Sequence, residues 1–201
     1  MAKIELRGLE EALEAVDNHV AQKAARRTIN DLCKRGRTAL SRHIRETYNI
    51  RAGSAKAEID IELLGASGGR AALSVSGTRM PLTDFSGTRQ VGAGLSVQVR
   101  KDRPRSVIRH GFLATMGSGG ERALRRQWRR LNPEAPVGRA DRAWSRLPKR
   151  YRLPAEQLTT LSVPQMFDQD EAYRLVQAVV DDKGDELFQT NYRYFAERMG
   201  P

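Results

Sequence analysis

Apolar residues recur through 19–48 at Ala21, Ala25, Ile29, Leu32, Leu40 and Ile44, in steps of four, four, three, eight and four. That is one face of a 3.6-residue period, so the pattern predicts a long helix. Gly36 stands where the eight-residue step skips a turn. A glycine there costs roughly 1 kcal/mol relative to alanine, so it is either a tolerated defect or a place where another backbone comes close. Lys23, Arg26, Arg27, Asp31, Lys34, Arg37 and Arg42 occupy the opposite face, and Asp17-Asn18 supplies the N-cap signal. A helix of about 28 residues extends roughly 42 Å, and its narrow stripe needs a surface to lie against.

The alternation then changes to a period of two. In 57–64, Ala57, Ile59, Ile61 and Leu63 interleave with Glu58, Asp60 and Glu62. GASGG follows as a turn, and Ala71, Leu73 and Val75 continue the pattern as a hairpin partner. Leu95, Val97 and Val99 mark a third strand, and VIRHGFL at 107–113 a fourth. Such alternation belongs to an antiparallel sheet with one packed and one wetted face, and the long helix is its natural cover. A short strand at 3–6, a short helix at 9–16, a linker-like turn at 51–56 and an irregular stretch at 81–94 anchored by Leu82 and Phe85 complete this part.

Beyond Met116 the periodicity fails. ERALRRQWRRL suggests one or two helical turns, and the Pro-, Gly- and Arg-rich run up to Pro154 shows none. Ser162-Val163-Pro164 is extended before its proline, and 168–199 is helical again. One stripe there is Ala172, Leu175, Val176, Val179 and Val180, continued by Leu187, Phe188, Tyr192, Phe195 and Met199. Gly184 is a candidate bend, and Asp168, Asp170 and Glu171 suit the positive end of the helix dipole. The fold class is α+β: a long N-terminal helix on an antiparallel sheet of about four strands, an extended basic arm and a C-terminal helix. The organisation reads as a helix-plus-sheet core at 1–115, an arm or loop at 116–152, and a strand, turn and helix at 153–201 completing the core.

Chemistry changes this picture little. The lone Cys33 lies beside the apolar stripe and reads as a small core residue in a reducing compartment. His19, His43 and His110 are scattered and form no metal set with it, and His110 reads as strand surface. The chain contains no GxxxxGK[ST], HExxH, CxxC or GxSxG, and Asp168, Asp170 and Glu171 lack the EF-hand order. No catalytic, metal or cofactor residues are assigned, and an enzyme is not expected. The acidic, amphipathic N-terminus does not read as a signal peptide, and no apolar run approaches ~18 residues, so a cytosolic product without a membrane span is expected.

Charge changes it more. The net charge is +11, but 100–152 holds 16 Lys and Arg against 4 Asp and Glu, whereas 153–201 holds 4 against 9. Trp128, Trp144 and Tyr151 sit among the arginines. Aromatics interleaved with arginine stack nucleobases in some proteins and anchor protein interfaces in others. The candidate interaction residues are therefore Arg125, Arg126, Trp128, Arg129, Arg130, Arg142 and Trp144 on a basic side. Asp181, Asp182, Asp185 and Glu186 form the acidic side, where a neighbouring copy's arm could dock. A basic nucleic-acid-binding protein using 100–152 is the competing reading.

Two stretches suggest a family. GLEEALEAV followed by AARRTIND, and LPAEQLTTLSVPQMF followed by a terminal helix, resemble the two ends of the phage minor tail protein Z family, the lambda-like tail-completion proteins. RQWRRLNPEAPVGRADRAW stands where related proteins show a basic, glycine-containing segment of variable sequence. The resemblance implies a structural virion protein at the head-proximal end of a long tail, made in the host cytoplasm and acting in head-tail joining. It further implies a ring of copies, a hexamer, contacting the tail terminator, tail tube or neck proteins, with phage DNA possible nearby. It carries no catalytic residues.

Overall fold

A computed structural model of the chain describes residues 2–5, 19–65, 70–115, 117, 120–126 and 155–199. The fold is α+β, with α1 at His19–Thr47, a short α2 at Ala52–Ala57 and α3 at Gln169–Met199. Among the described residues the strands are antiparallel, but they form four small sheets rather than one of about four strands. By packing, the chain divides into two compact units, one of Met1–Arg45, Ala52–Thr78 and Ser162–Pro201, the other of Glu46–Arg51 and Arg79–Leu161.

The first unit holds most of α1, α2, α3 and a sheet with β3 (Ala72–Val75) between β1 (Ala2–Glu5) and β2 (Ile59–Glu62). The expected β2–β3 pairing is present, with Ile59 opposite Val75 and Ile61 opposite Leu73. In β2 the alternation holds, Ile59 buried and Asp60 and Glu62 exposed. Leu63 does not follow it and is exposed. The 51–56 stretch is not a linker, because most of it is α2. Arg37, from the polar face of α1, donates from Nε at 3.1 Å and Nη2 at 2.6 Å to the carbonyl of Lys56, satisfying one of the acceptors a short helix leaves open at its C-terminal end.

The inner face of α1 is Ala24, Thr28, Ile29, Leu32, Cys33, Gly36, Leu40, Ser41 and Ile44. The expected stripe is right from Ile29 onward but slides at the start, where Ala24 and Thr28 replace Ala21 and Ala25. Thr28 turns inward because its hydroxyl has partners: Oγ1 donates to the Ala24 carbonyl at 2.8 Å and accepts Asn191 Nδ2 at 3.1 Å. Asn30 closes a second polar link, taking the Leu64 N–H on Oδ1 at 2.8 Å and giving Nδ2 to the Leu64 carbonyl at 3.1 Å. That amide acts as a one-residue strand partner for the end of β2. Cys33 is fully buried in a cluster with Ile29, Leu64 and Ala71, and burial pushes its thiol pKa up.

Gly36 is the close approach. A Cβ there would lie 3.2 Å from Leu73 Cδ1 of β3 and 3.5 Å from Val176 Cγ1 of α3. The neighbours are thus side chains rather than a backbone, and sheet and terminal helix both press on one turn of α1. On α3, Ala172 and Val176 are buried as expected, and the helix passes Gly184 without a break. Further along, Asn191 rather than Phe188 or Tyr192 takes the inner position, and each of those rings is 37% exposed. The Thr28 hydroxyl selects a hydrogen-bonding side chain over an aromatic one.

The second unit carries the remaining strands. β6 (Gly94–Val97) lies between β5 (Arg89–Val91) and β7 (Ser106–Arg109), and β9 (Glu121–Arg126) between β8 (Gly111–Thr115) and β10 (Ala155–Gln157). β4 (Arg79–Pro81) pairs with β11 (Thr159–Ser162). Leu82, Leu95, Val97 and Ala123 form its core, and Phe85 is fully buried, so both anchors of the irregular stretch are real. Three expectations fail here. Residues 107–113 are two strands, because His110 adopts φ 62° and sends β7 and β8 into different sheets. β6 is buried on both faces, Ser96 included. Residues 121–126 are a strand, not helical turns, since pairing on both sides and burial of Ala123 and Leu124 override the helix propensity of Ala, Leu and Arg. Gly94 is required at φ 145°, because a Cβ there would come within 2.2 Å of the Ile108 carbonyl oxygen of β7.

Two substitutions check the first unit by denaturant unfolding. Gly36→Leu should lose about 1–3 kcal/mol through overpacking against Leu73 and Val176. Gly36→Ala should change stability by less, since a helix-propensity gain of about 1 kcal/mol opposes the tight Leu73 contact. Ile29→Asp should leave the chain unfolded or insoluble, at a cost of several kcal/mol for a buried unpaired carboxylate; a parent-like melt would mean that this face of α1 is not the core.

Candidate interaction surface

The acidic candidates sit on the outer side of α3. Asp181, Asp182, Asp185 and Glu186 are all exposed. Lys183 divides them, with Nζ 3.1 Å from Glu186 and 3.7 Å from Asp182, and these contacts raise its pKa, Glu186 foremost. Asp181 accepts Gln177 Nε2 at 2.9 Å, and neither Asp181 nor Asp185 has a cationic partner among the described residues.

The basic candidates divide differently. Arg125 is spent inside its own sheet: across the β9–β10 register its Nη2 and Nε reach one carboxylate oxygen of Glu156 at 2.6 and 3.0 Å. Arg126 stacks its guanidinium 4.8 Å above the Phe112 ring of β8. Trp128, Arg129, Arg130, Arg142 and Trp144 lie outside the described residues, as do the expected helix at 9–16 and nearly all of the expected arm.

The second unit exposes a basic strip that lies within the 100–152 segment of the nucleic-acid reading but outside the candidate interaction residues. Lys101, Arg103, Arg105 and Arg109 are all exposed, and Val107 is 49% exposed on β7, which among the described residues is an edge strand paired with β6 alone. Arg105 folds back, donating from Nη1 to the Gly87 carbonyl at 2.7 Å. Asp102 answers Arg100 instead, with two hydrogen bonds of 2.9 Å that hold its carboxyl below the ordinary aspartate pKa. Arg109 has no carboxylate partner among the described residues. The available signal was the failure of Val107 to find a place in the alternation of its neighbours, once His110 had broken the run.

Among the described residues, two concave features stand out. One, of about 170 Å³, lies among Gln90, the Gly92–Ala93 turn, His110 and Phe112; Gln90 itself is engaged, bonding the Gly94 carbonyl at 2.9 Å and the Leu113 N–H at 2.9 Å. The other, about 610 Å³ and open, runs along α1 past Lys34, Arg35, Thr38 and Arg42, with Leu187 opposite. Neither brings together a nucleophile, a base and an orienting group. No group of three or more His, Cys, Asp or Glu among the described residues is placed to hold a metal ion, and no described helix is long and apolar enough to cross a membrane.

No protein-family model, no curated protein and no solved structure matches this chain.

The Arg125–Glu156 pair is half exposed, and such pairs contribute about 0–1 kcal/mol. Arg125→Ala should therefore lower unfolding stability by no more than that. A loss of several kcal/mol would make the pair a principal tie of the β9–β10 edge.

Proposed function

We propose that the chain is a structural virion protein, a tail-completion subunit that acts in a ring at the head-proximal end of a long phage tail. Its partners on this reading are further copies of itself and the tail terminator, tail tube or neck proteins, and it works by binding rather than catalysis. The observation that supports it most is where the family-like residues fall. Within AARRTIND, Ala24, Thr28 and Ile29 are buried and Asn30 ties α1 to Leu64. Within LSVPQMF, Ser162, Val163 and Met166 are buried, and the Ser162 N–H bonds Gln165 Oε1 at 3.0 Å at the 3-10 turn before α3. AARRTIND and the second stretch from Ser162 onward belong to one unit, whereas 155–161 fall in the other, and Asn191 of the terminal helix meets Thr28 of the first stretch. The interior residues of the two stretches named here carry the reading. The arginine-rich residues 100–126 belong to the other unit, where surface chemistry answers to partners.

The test uses tails assembled from the other tail proteins of the same genome without this chain. Purified protein should co-sediment with them, appear at one end by electron microscopy, and restore joining to filled heads. Binding to duplex DNA should be weak and lost near physiological salt, with log affinity falling by about 0.9 per phosphate contacted for each unit of log salt. Indifference to tails, together with submicromolar DNA binding at physiological salt, would replace this reading with the nucleic-acid one.

A further inference from the structure

On α3, Asp181, Asp185, Phe188 and Tyr192 follow one another at steps of four, three and four, so they form a single stripe on one helix face. All four are exposed. The two rings stand 6.1 Å apart between centroids and form a ready platform. Lys183 engages Asp182 and Glu186, on the neighbouring side of the helix, and the carboxylates of the stripe have no cationic partner among the described residues. Two carboxylates, Asp181 bonded only to the neutral Gln177 among the described residues, lead into two exposed rings and match a guanidinium followed by an apolar side chain. Carboxylates accept arginine, and aromatic faces take either a guanidinium or an aliphatic group. Adjacent exposed aromatics beside carboxylates make a candidate protein-binding surface.

The chain carries the complement itself. Val107 and Arg109 share one face of β7, about 7 Å apart. Along the helix, Asp185 and Phe188 are separated by roughly 4.5 Å of rise, within the reach of an arginine side chain on the same scale. Arg103, just before the strand, adds a further exposed charge. We propose that the α3 stripe of one copy docks on the β7 edge of a second copy. Arg109 then lies on Asp181 and Asp185, and Val107 against Phe188 and Tyr192. The contact joins two unlike patches, so it is heterologous and repeats from copy to copy. It rests on the reading of the chain as a multi-copy assembly subunit. It moves the basic half of the contact from Arg125 and Arg126, which are engaged within their sheet, to Arg109 and Val107.

Sedimentation velocity of the purified full chain tests the contact independently of tails. The parent should self-associate, and added salt should weaken the association. Asp181→Arg with Asp185→Arg, and separately Arg103→Glu with Arg109→Glu, should each be monomeric while keeping the parent's circular dichroism and melting profile. An equimolar mixture of the two double variants should associate again, because each reversed patch meets its complement on the other chain. Phe188→Ser with Tyr192→Ser should weaken parent self-association roughly tenfold or more. A parent that stays monomeric throughout, double variants that associate like the parent, or a mixture that fails to recover would each overturn the α3–β7 contact. Incorporation into tails with those results would leave the assembly reading standing without it.

Discussion

One turn of α1 carries the first unit. At Gly36 the helix surface is low enough for Leu73 of β3 and Val176 of α3 to reach it together. Any side chain there would hold one of them off, and interiors packed to crystal-like density do not absorb such a displacement freely. The helix-propensity cost of glycine is therefore accepted at the position where sheet and terminal helix converge. The flanking contacts follow from it. Leu32, Leu40 and Ile44 continue the same face, and Cys33 and Ile29 fill the space toward Leu64 and Ala71. The polar ties, Asn30 to Leu64 and Thr28 to Asn191, set the register of strand and helix against α1 where apolar packing alone allows sliding.

The second unit is governed by two backbone conformations rather than by a helix. Gly94 at positive φ lets the β5–β6 turn close against β7, and His110 at positive φ ends β7 and starts β8 in another sheet. Small sheets made in this way leave edges, and edges on natural proteins are commonly guarded by charge. β7 fits that pattern with Arg109 and its basic neighbours, yet it keeps Val107 exposed. An edge that is basic but not wholly polar suits a selective contact better than simple protection from aggregation.

Much of this architecture could be read from the chain. The period of 3.6 located α1 and α3, and the period of two located β2 and β3, because burial on one side of a regular element imposes its repeat on the sequence. Gly36 was legible as an anomaly in the stripe, and Leu82 and Phe85 as apolar residues in a polar stretch.

What the sequence could not decide is which partner each element would find. Arg122, Ala123, Leu124 and Arg125 favour a helix on local grounds, and only two flanking strands make them β9. Asn191 outranks Phe188 for the inner position of α3 only because Thr28 stands opposite with a hydroxyl. Arg125 and Arg109 look alike in the sequence and both are exposed, but a cross-strand glutamate occupies the first, whereas the second has no carboxylate partner among the described residues. Periodicity and composition are local and survive in the linear chain. Pairing, satisfaction of buried polar groups and the freedom of a surface charge depend on residues distant in sequence, and these only the tertiary structure brings together.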